Sequence, residues 1–314
     1  MLRAWYIEDG ALRPLAEGSD LSRADWIDLS APSEDERAAV GALGLDAPTL
    51  EDMEEIEISN RLYRQDGCEV MTVTIPGRNA DDRRIAAPVA FVLSERRMMT
   101  VRYHAPRAFE TFDRHAPSTS AGCISHLHLF LGLFEEIVAR LADLLEGDGQ
   151  ALDRASQTLF DGNDPETHVL EQLVREIGRR GESVASLRHA LLTLDRALTT
   201  FGLWRDERSL RPLLKATTRD IQALIVHADF LSARVAQLTG VTLGLVNLDQ
   251  TEAGRVLSVV AVIFLPPTLV ASIYGMNFGV LPGTGHPLGW LMASGLMVVS
   301  VIASILYFRW KGWL

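Results

Sequence analysis

Three patterns of hydrophobic and polar positions succeed one another along the chain. Residues 1–115 carry short apolar runs at 3–7, 26–30, 68–75, 89–93 and 98–103, several of them enriched in β-branched residues. Runs of that length and composition predict strands. Among them, Ser33-Glu34-Asp35-Glu36 makes a capping box, which predicts a helix from Ser33, and a second helix is expected to begin near Thr49. Residues 116–205 change to helical steps of three and four: Leu129, Leu133, Phe134, Ile137, Leu141 and Leu145, then Leu170, Leu173, Ile177, Val184, Leu187 and Leu191. Glu146-Gly147-Asp148-Gly149 could interrupt the first of these helices or merely loosen it. Asn163-Asp164-Pro165 is expected to cap the second.

From about Pro212 the stripe Leu214, Ile221, Leu224, Ala228, Leu231, Val235 and Leu238 runs on, and no proline intervenes until Pro266. The simplest reading is one helix that continues without a break, some sixty residues and on the order of 90 Å long. It runs into a stretch, Val256 to Phe308, with no Asp, Glu, Lys or Arg in a chain that is otherwise 23% charged. That stretch is cut once. Residues 256–274 and 288–308 each match the roughly 20 apolar residues that cross a ~30 Å hydrocarbon core as a helix. Between them lies a loop, 275–287, and after them a tail, 309–314. Arg255, Arg309 and Lys311 flank the spans while the loop has no Lys or Arg. The positive-inside bias therefore predicts that both termini are cytoplasmic. The domain reading is an α/β domain over 1–115, a helical region with a long stalk helix over 116–255, and a membrane domain over 256–314.

Composition sharpens this picture. The first sixty residues hold 15 acids against 4 arginines, which equals the net charge of the whole chain, −11. An acidic domain is a poor nucleic-acid binder, so no nucleic-acid partner is expected, and it is a plausible neighbour for cations. Two cysteines are too few for a disulfide framework and suit a reducing compartment. Residues 1–28 carry acids throughout and no apolar core segment, so no signal peptide is expected. There is no dinucleotide or phosphate-binding glycine loop, no Gly-x-Ser-x-Gly and no His-Glu-x-x-His, and the chain is not read as an enzyme. Two spans per chain cannot enclose a hydrophilic path, so a pore requires several chains around an axis.

The chemistry-bearing motif ends the first span. Ser258-Val-Val-Ala-Val-Ile-Phe-Leu-Pro-Pro-Thr-Leu-Val-Ala-Ser-Ile-Tyr-Gly-Met-Asn-Phe278 resembles the CorA family of divalent-cation transporters nearly residue for residue, with its Gly-Met-Asn signature. Arg219-Asp220-Ile221 in the long helix, Glu51-Asp52-Met53-Glu54 in the acidic first part and the Trp313-Leu314 ending also match. The resemblance covers most of the chain, loosely over 1–200 and tightly after 250, with the ZntB-type zinc transporters as the nearest related branch. It implies an α+β cytoplasmic domain, an α/β/α sandwich, followed by long stalk helices and two transmembrane helices. It further implies a funnel-shaped homopentamer in the inner membrane that moves hydrated Mg²⁺, with Co²⁺, Ni²⁺ or Zn²⁺ as further candidates.

On the same resemblance, Gly275, Met276 and Asn277 form the selectivity filter. Mg²⁺ sheds water reluctantly, and an amide ring with backbone carbonyls can accept hydrogen bonds from its hydration shell. Thr268, Leu265, Leu257 and Thr251 line the pore or gate it. Glu51, Asp52 and Asp220 form a cytoplasmic regulatory Mg²⁺ site between subunits, their oxygens suiting a hard ion. The chain departs from the family at Thr251, where an Asn is usual, at Gly254, where a bulkier apolar residue is usual, and in the external loop, which has no acid between 278 and 290. Pro266-Pro267 leave carbonyls without helical donors, tolerable in a bilayer only beside protein or water, and suggest a pore-side location. His286 is read as a solvated loop residue. Cys123, His126 and His128 do not share one helix face and are not read as a zinc site. The alternatives are a ZntB-like zinc transporter and, outside transport, a membrane-tethered structural or signalling stalk.

Overall fold

A computed structural model describes residues 1–16, 18–55, 57–160, 167–205, 207–276 and 288–312. Two compact units are present: Met1–Asp164 with Leu173–Thr239, and Pro165–Gln172 with Gly240–Leu314.

The first unit is built on one seven-stranded sheet. Its strands are β1 (Leu2–Glu8), β2 (Ala11–Pro14), β3 (Trp26–Ser30), β4 (Leu62–Gln65), β5 (Cys68–Arg78), β6 (Arg84–Leu93) and β7 (Met98–Arg102). They lie in the order β2-β1-β3-β7-β6-β5-β4, and every pair is antiparallel except β3 with β7. The five expected strands are all present. β2 and β4 are additions, each joined to its neighbour by an Asp-Gly turn with positive φ at both residues: 51° and 71° at Asp9-Gly10, 50° and 76° at Asp66-Gly67. That conformation matches the twist of a tight hairpin.

Alternation along the strands gives the sheet two apolar faces. One face, with Ala4, Ile27, Leu29, Val70, Val92 and Val101, packs against Val40 of α1 (Glu34–Gly41) and Met53 of α2 (Leu50–Glu54). Both helices start with a capping box, on Ser33 and Thr49 as expected. A one-turn helix, α3 (Ile58–Arg61), precedes β4. The other face is aromatic. Trp26 meets Phe112 of α4 (Ala108–His115), ring centroids 5.5 Å apart, and Phe91 meets Phe130 and Phe134 of α5 (His126–Phe160). Phe130 in turn meets Phe201 of α6 (Thr167–Trp204) at 4.8 Å. Helices therefore cover both faces, the three-layer arrangement anticipated from the sequence.

α5 runs through Glu146-Gly147-Asp148-Gly149 without a break. The polar run is not a loop because Asp148 turns inward, accepting from Arg180 Nη1 at 3.2 Å and from Ser183 Oγ at 2.6 Å. Gly149 leaves room beside Leu231 of α7 (Arg211–Tyr274), where an added Cβ would lie 3.5 Å from that side chain. The long helix is thus continuous, as its stripe required. Asn163-Asp164-Pro165 lies outside the described residues.

Two polar groups sit deep in the sheet. Arg102 and Asp28 form a buried ion pair at 2.8 Å, and Thr100 also donates to Asp28 at 2.8 Å. His104, 4% exposed, bonds Ile75 O through Nε2 at 2.9 Å, while its Nδ1 has no partner among the described residues. Burial, with the neighbouring Arg102 charge, lowers its pKa to about 4 although the Ile75 carbonyl pulls the other way. In the unfolded chain the same imidazole titrates near 6.5. Between those values the unfolded state binds more protons, so stability falls as pH drops from about 6.5 to about 4, by roughly 3 kcal/mol in all. Thermal melts of wild type and His104→Gln across that range check this: the wild type should lose more stability with acid. Equal slopes for the two proteins would rule His104 out as the cause.

Candidate functional site

The second unit contains the end of α7 and α8 (Gly289–Trp310), which among the described residues are the two helices long and apolar enough to cross a membrane. Each has one covered side. On α7 these positions are Val259, Ile263, Pro266, Pro267, Val270 and Tyr274, buried or half-buried. On α8 they are Gly289, Ala293, Met297, Ser300, Val301, Ser304 and Phe308. Apart from the adjacent pairs 266/267 and 300/301, both sets step by three and four, which places each on a single helical face.

The candidate path residues occupy the opposite side of α7. At about 100° per residue, Thr251, Leu257, Leu265, Thr268, Gly275 and Met276 fall within an arc of about 120° that does not overlap the covered one. All six are exposed, Leu257 by 72% and Leu265 by 66%. An apolar helix with one side against its own unit and the other bare must find cover outside this chain, in lipid or in other copies. Pro266 and Pro267 are half-buried and lie in the covered arc, on the side away from the candidate path residues.

The exposed arc carries the hydroxyls of Thr251, Ser258, Thr268 and Ser272, and the first three donate to the carbonyl four residues back. Thr251 Oγ1 bonds Asn247 O at 2.7 Å, Ser258 Oγ bonds Gly254 O at 2.9 Å, and Thr268 Oγ1 bonds Phe264 O at 2.6 Å. Ser258 was not among the pore-lining candidates read from the sequence, although its seven-residue step from Thr251 was available as a signal. The helix closes with Gly275 N donating to Ala271 O at 2.9 Å and Met276 N to Ile273 O at 3.3 Å. Asn277, the third filter candidate, and His286 lie outside the described residues.

The three acids expected to form a regulatory site are in the first unit. Glu51 and Asp52 occupy the first turn of α2. One carboxylate oxygen of Asp52 is engaged, accepting from Thr49 N at 2.8 Å and Thr49 Oγ1 at 2.6 Å, and these bonds hold its carboxyl below the usual carboxylate range. Asp220 lies on α7 at the edge of a groove of about 390 Å³ lined by Leu131, Val138, Ala216 and Leu224, with Glu135 and Ser120 at its rim. Neither Glu51 nor Asp52 lines that groove. Among the described residues, no three His, Cys, Asp or Glu side chains stand together as a metal set within one chain. Cys123 is buried, His126 Nε2 pairs with Ser94 O at 3.1 Å and His128 Nδ1 with Ser125 Oγ at 2.9 Å, three separate surroundings.

Comparison with known proteins adds the following. Residues 22–310 match the family described as CorA-like Mg²⁺ transporter protein. The magnesium transport protein CorA of Pasteurella multocida (strain Pm70) is 32% identical over 320 residues, covering 100% of both chains. The complete structure of the CorA magnesium transporter of Methanocaldococcus jannaschii superposes with a TM-score of 0.77 at 19% identity, over 100% of this chain and 99% of that one. The cytoplasmic domain of ZntB from Vibrio parahaemolyticus covers 80% of this chain and is itself covered to 98%, with a TM-score of 0.59 at 11% identity.

Proposed function

The chain belongs to the CorA-like Mg²⁺ transporter family, whose members are ion transporters and not enzymes, and on that premise we propose that it carries hydrated Mg²⁺ across the inner membrane. Several copies, five by the family resemblance, surround an axis. The α7 face bearing Thr251, Leu257, Leu265, Thr268, Gly275 and Met276 lines the path, Asn277 completes the filter, and α8 forms the outer ring. Both termini are cytoplasmic, residues 1–255 form the cytoplasmic part, and 256–308 hold the spans. The observation that carries this reading is the opposition of faces on α7: the side with the family's signature residues is bare, while the other side is covered within its own unit.

Flux of Mg²⁺, Co²⁺, Ni²⁺ and Zn²⁺ into vesicles reconstituted with the full chain tests it. Mg²⁺ uptake is expected first among the four. Zn²⁺ uptake without Mg²⁺ uptake would move the chain to the zinc branch, a choice the fold leaves open because both branches share it. No flux of any ion would favour a tethered stalk.

Glu51, Asp52 and Asp220 are proposed to hold a Mg²⁺ ion between neighbouring copies when the cytoplasmic concentration is high, which stabilises the closed state and links occupancy to gating. Replacing all three by their amides should shift inhibition by cytoplasmic Mg²⁺ to higher concentration. Asp52→Asn also weakens the Thr49 cap, at a cost of ~1 kcal/mol. The informative comparison is therefore Glu51→Gln/Asp220→Asn with Asp52 left intact. An unmoved inhibition curve in that variant would reduce these acids to solvated surface charge.

A further inference from the structure

β4 is too short to cover its neighbour. It pairs with β5 only between Cys68 and Met71, whereas β5 runs on to Arg78 at that edge of the sheet. An uncovered edge presents unpaired backbone donors, and here α6 takes over from the missing strand. Thr193 Oγ1 accepts from Thr74 N at 3.0 Å and passes its own proton to Ala190 O at 2.8 Å. A second fastening closes at the end of α6. The carboxylate of Glu69, on β5 and 4% exposed, accepts from Arg64 Nη2 at 2.6 Å and from Arg205 Nε at 3.0 Å. Arg64 Nη2 also donates to Trp204 O at 2.8 Å, and its guanidinium lies over the Trp204 ring. A carbonyl of the last turn of α6, which has no donor within its own helix, thereby finds one on β4.

On another side α6 is held as closely to α7. A Cβ on Gly202 would come within 2.7 Å of Leu214, one on Gly181 within 3.0 Å of Val235, and Arg188 pairs with Asp229. α6 thus stands between the edge of the sheet and α7, and the Glu69 clasp lies where α6 ends and the chain turns into α7. Opening the clasp would leave a buried carboxylate facing no cation, a state that a fold strongly resists. A joint that resists opening passes a displacement on instead of absorbing it.

We propose that Glu69, Arg64 and Arg205 form the joint through which the sheet and α7 move as one body. An ion held at Glu51 and Asp52, on a helix packed against the sheet, biases through this joint the helix whose later turns carry the path residues. The inference rests on the regulatory reading above and adds to it the residues that carry its effect within one chain. They are positioning residues, and none of them touches the ion. Without the joint the sheet would turn against α6 on binding, and α7 would stay where it was.

The test follows Mg²⁺ uptake into vesicles holding the full chain while Mg²⁺ on the cytoplasmic side is varied. Arg205→Met and, separately, Thr193→Val should keep wild-type uptake at low cytoplasmic Mg²⁺ and move half-inhibition severalfold to higher concentration. Arg205→Lys, which keeps a cation for Glu69, should stay near wild type. Arg102→Met breaks a buried pair within the sheet, lowers stability and should leave half-inhibition in place. A shift in Arg102→Met equal to that in Arg205→Met would reduce the clasp to general stability and overturn the proposal. Unmoved half-inhibition in Thr193→Val and Arg205→Met overturns it too, while the regulatory reading stands on its own variants. Thr193→Val, which loses one neutral hydrogen bond, decides alone if Arg205→Met does not fold. Wild-type uptake that ignores cytoplasmic Mg²⁺ overturns both readings.

Discussion

Full-length protein carrying Asn277→Ala is expected to assemble normally and to lose most of its Mg²⁺ uptake. Asn277 follows the described end of α7 in the sequence, and its proposed task concerns the ion and not packing within the chain. Its proposed task is to accept hydrogen bonds from water molecules held by the ion, which Mg²⁺ releases only reluctantly. A hydrogen bond to a group of that charge contributes about 1.5–3 kcal/mol, so losing the acceptor should lower uptake by roughly 10- to 100-fold. Attraction of the ion to the mouth should persist in part, because the end of a helix carries about half a negative charge from its aligned peptide dipoles. The variant should thus lose selection among ions more completely than it loses cation entry. Tracer uptake into vesicles, normalised to oligomer content, decides the matter. Wild-type uptake by an assembled Asn277→Ala protein would remove Asn277 from the filter.

Arg102→Met is expected to be the most damaging single change in the sheet-bearing unit. Asp28, 1% exposed, would keep its charge and lose the guanidinium that faces it through Nε and Nη2, leaving only the Thr100 hydroxyl, which Trp26 Nε1 in turn supports at 3.1 Å. Arg102 also donates to His104 O at 2.8 Å and lies over the Phe109 ring. Removing one member of a buried pair costs about 3–5 kcal/mol, whereas replacing both by apolar residues is often close to neutral. The double variant Asp28→Leu/Arg102→Met should accordingly recover much of what the single variant loses. Thermal unfolding of the three proteins measures it. A double variant no more stable than Arg102→Met alone would show that the loss comes from packing and not from the stranded carboxylate.

Legibility from sequence followed the length and self-sufficiency of each signal. The membrane spans and α7 were legible because dozens of residues repeat one message. β3, β5 and β7 were legible because they lie inside the sheet and most of their residues are apolar or β-branched. β2 and β4 were missed: each is four residues long and lies at an edge of the sheet, with too few positions to show alternation. Their Asp-Gly turns were the available signal. The parallel pairing of β3 with β7 joins residues about seventy positions apart and has no local mark. At the site, which residues share a face followed from spacing alone. Which face is covered did not, since both sides of α7 are apolar. The inward turn of Asp148 was likewise invisible, because its partners lie on another helix.

The hydroxyl bonds along α7 have a consequence for the sign of the charge that can pass. Thr251, Ser258 and Thr268 have each committed their one proton to a carbonyl of their own helix, so what they offer outward is lone pairs only. Water around a cation presents hydrogens outward and can bond to such oxygens. A bare anion at these three positions would find no O–H turned towards it, whereas the hydration shell of a cation finds acceptors. On the path proposed above, the direction of three O–H vectors would thus favour hydrated cations at these positions without a charged ring.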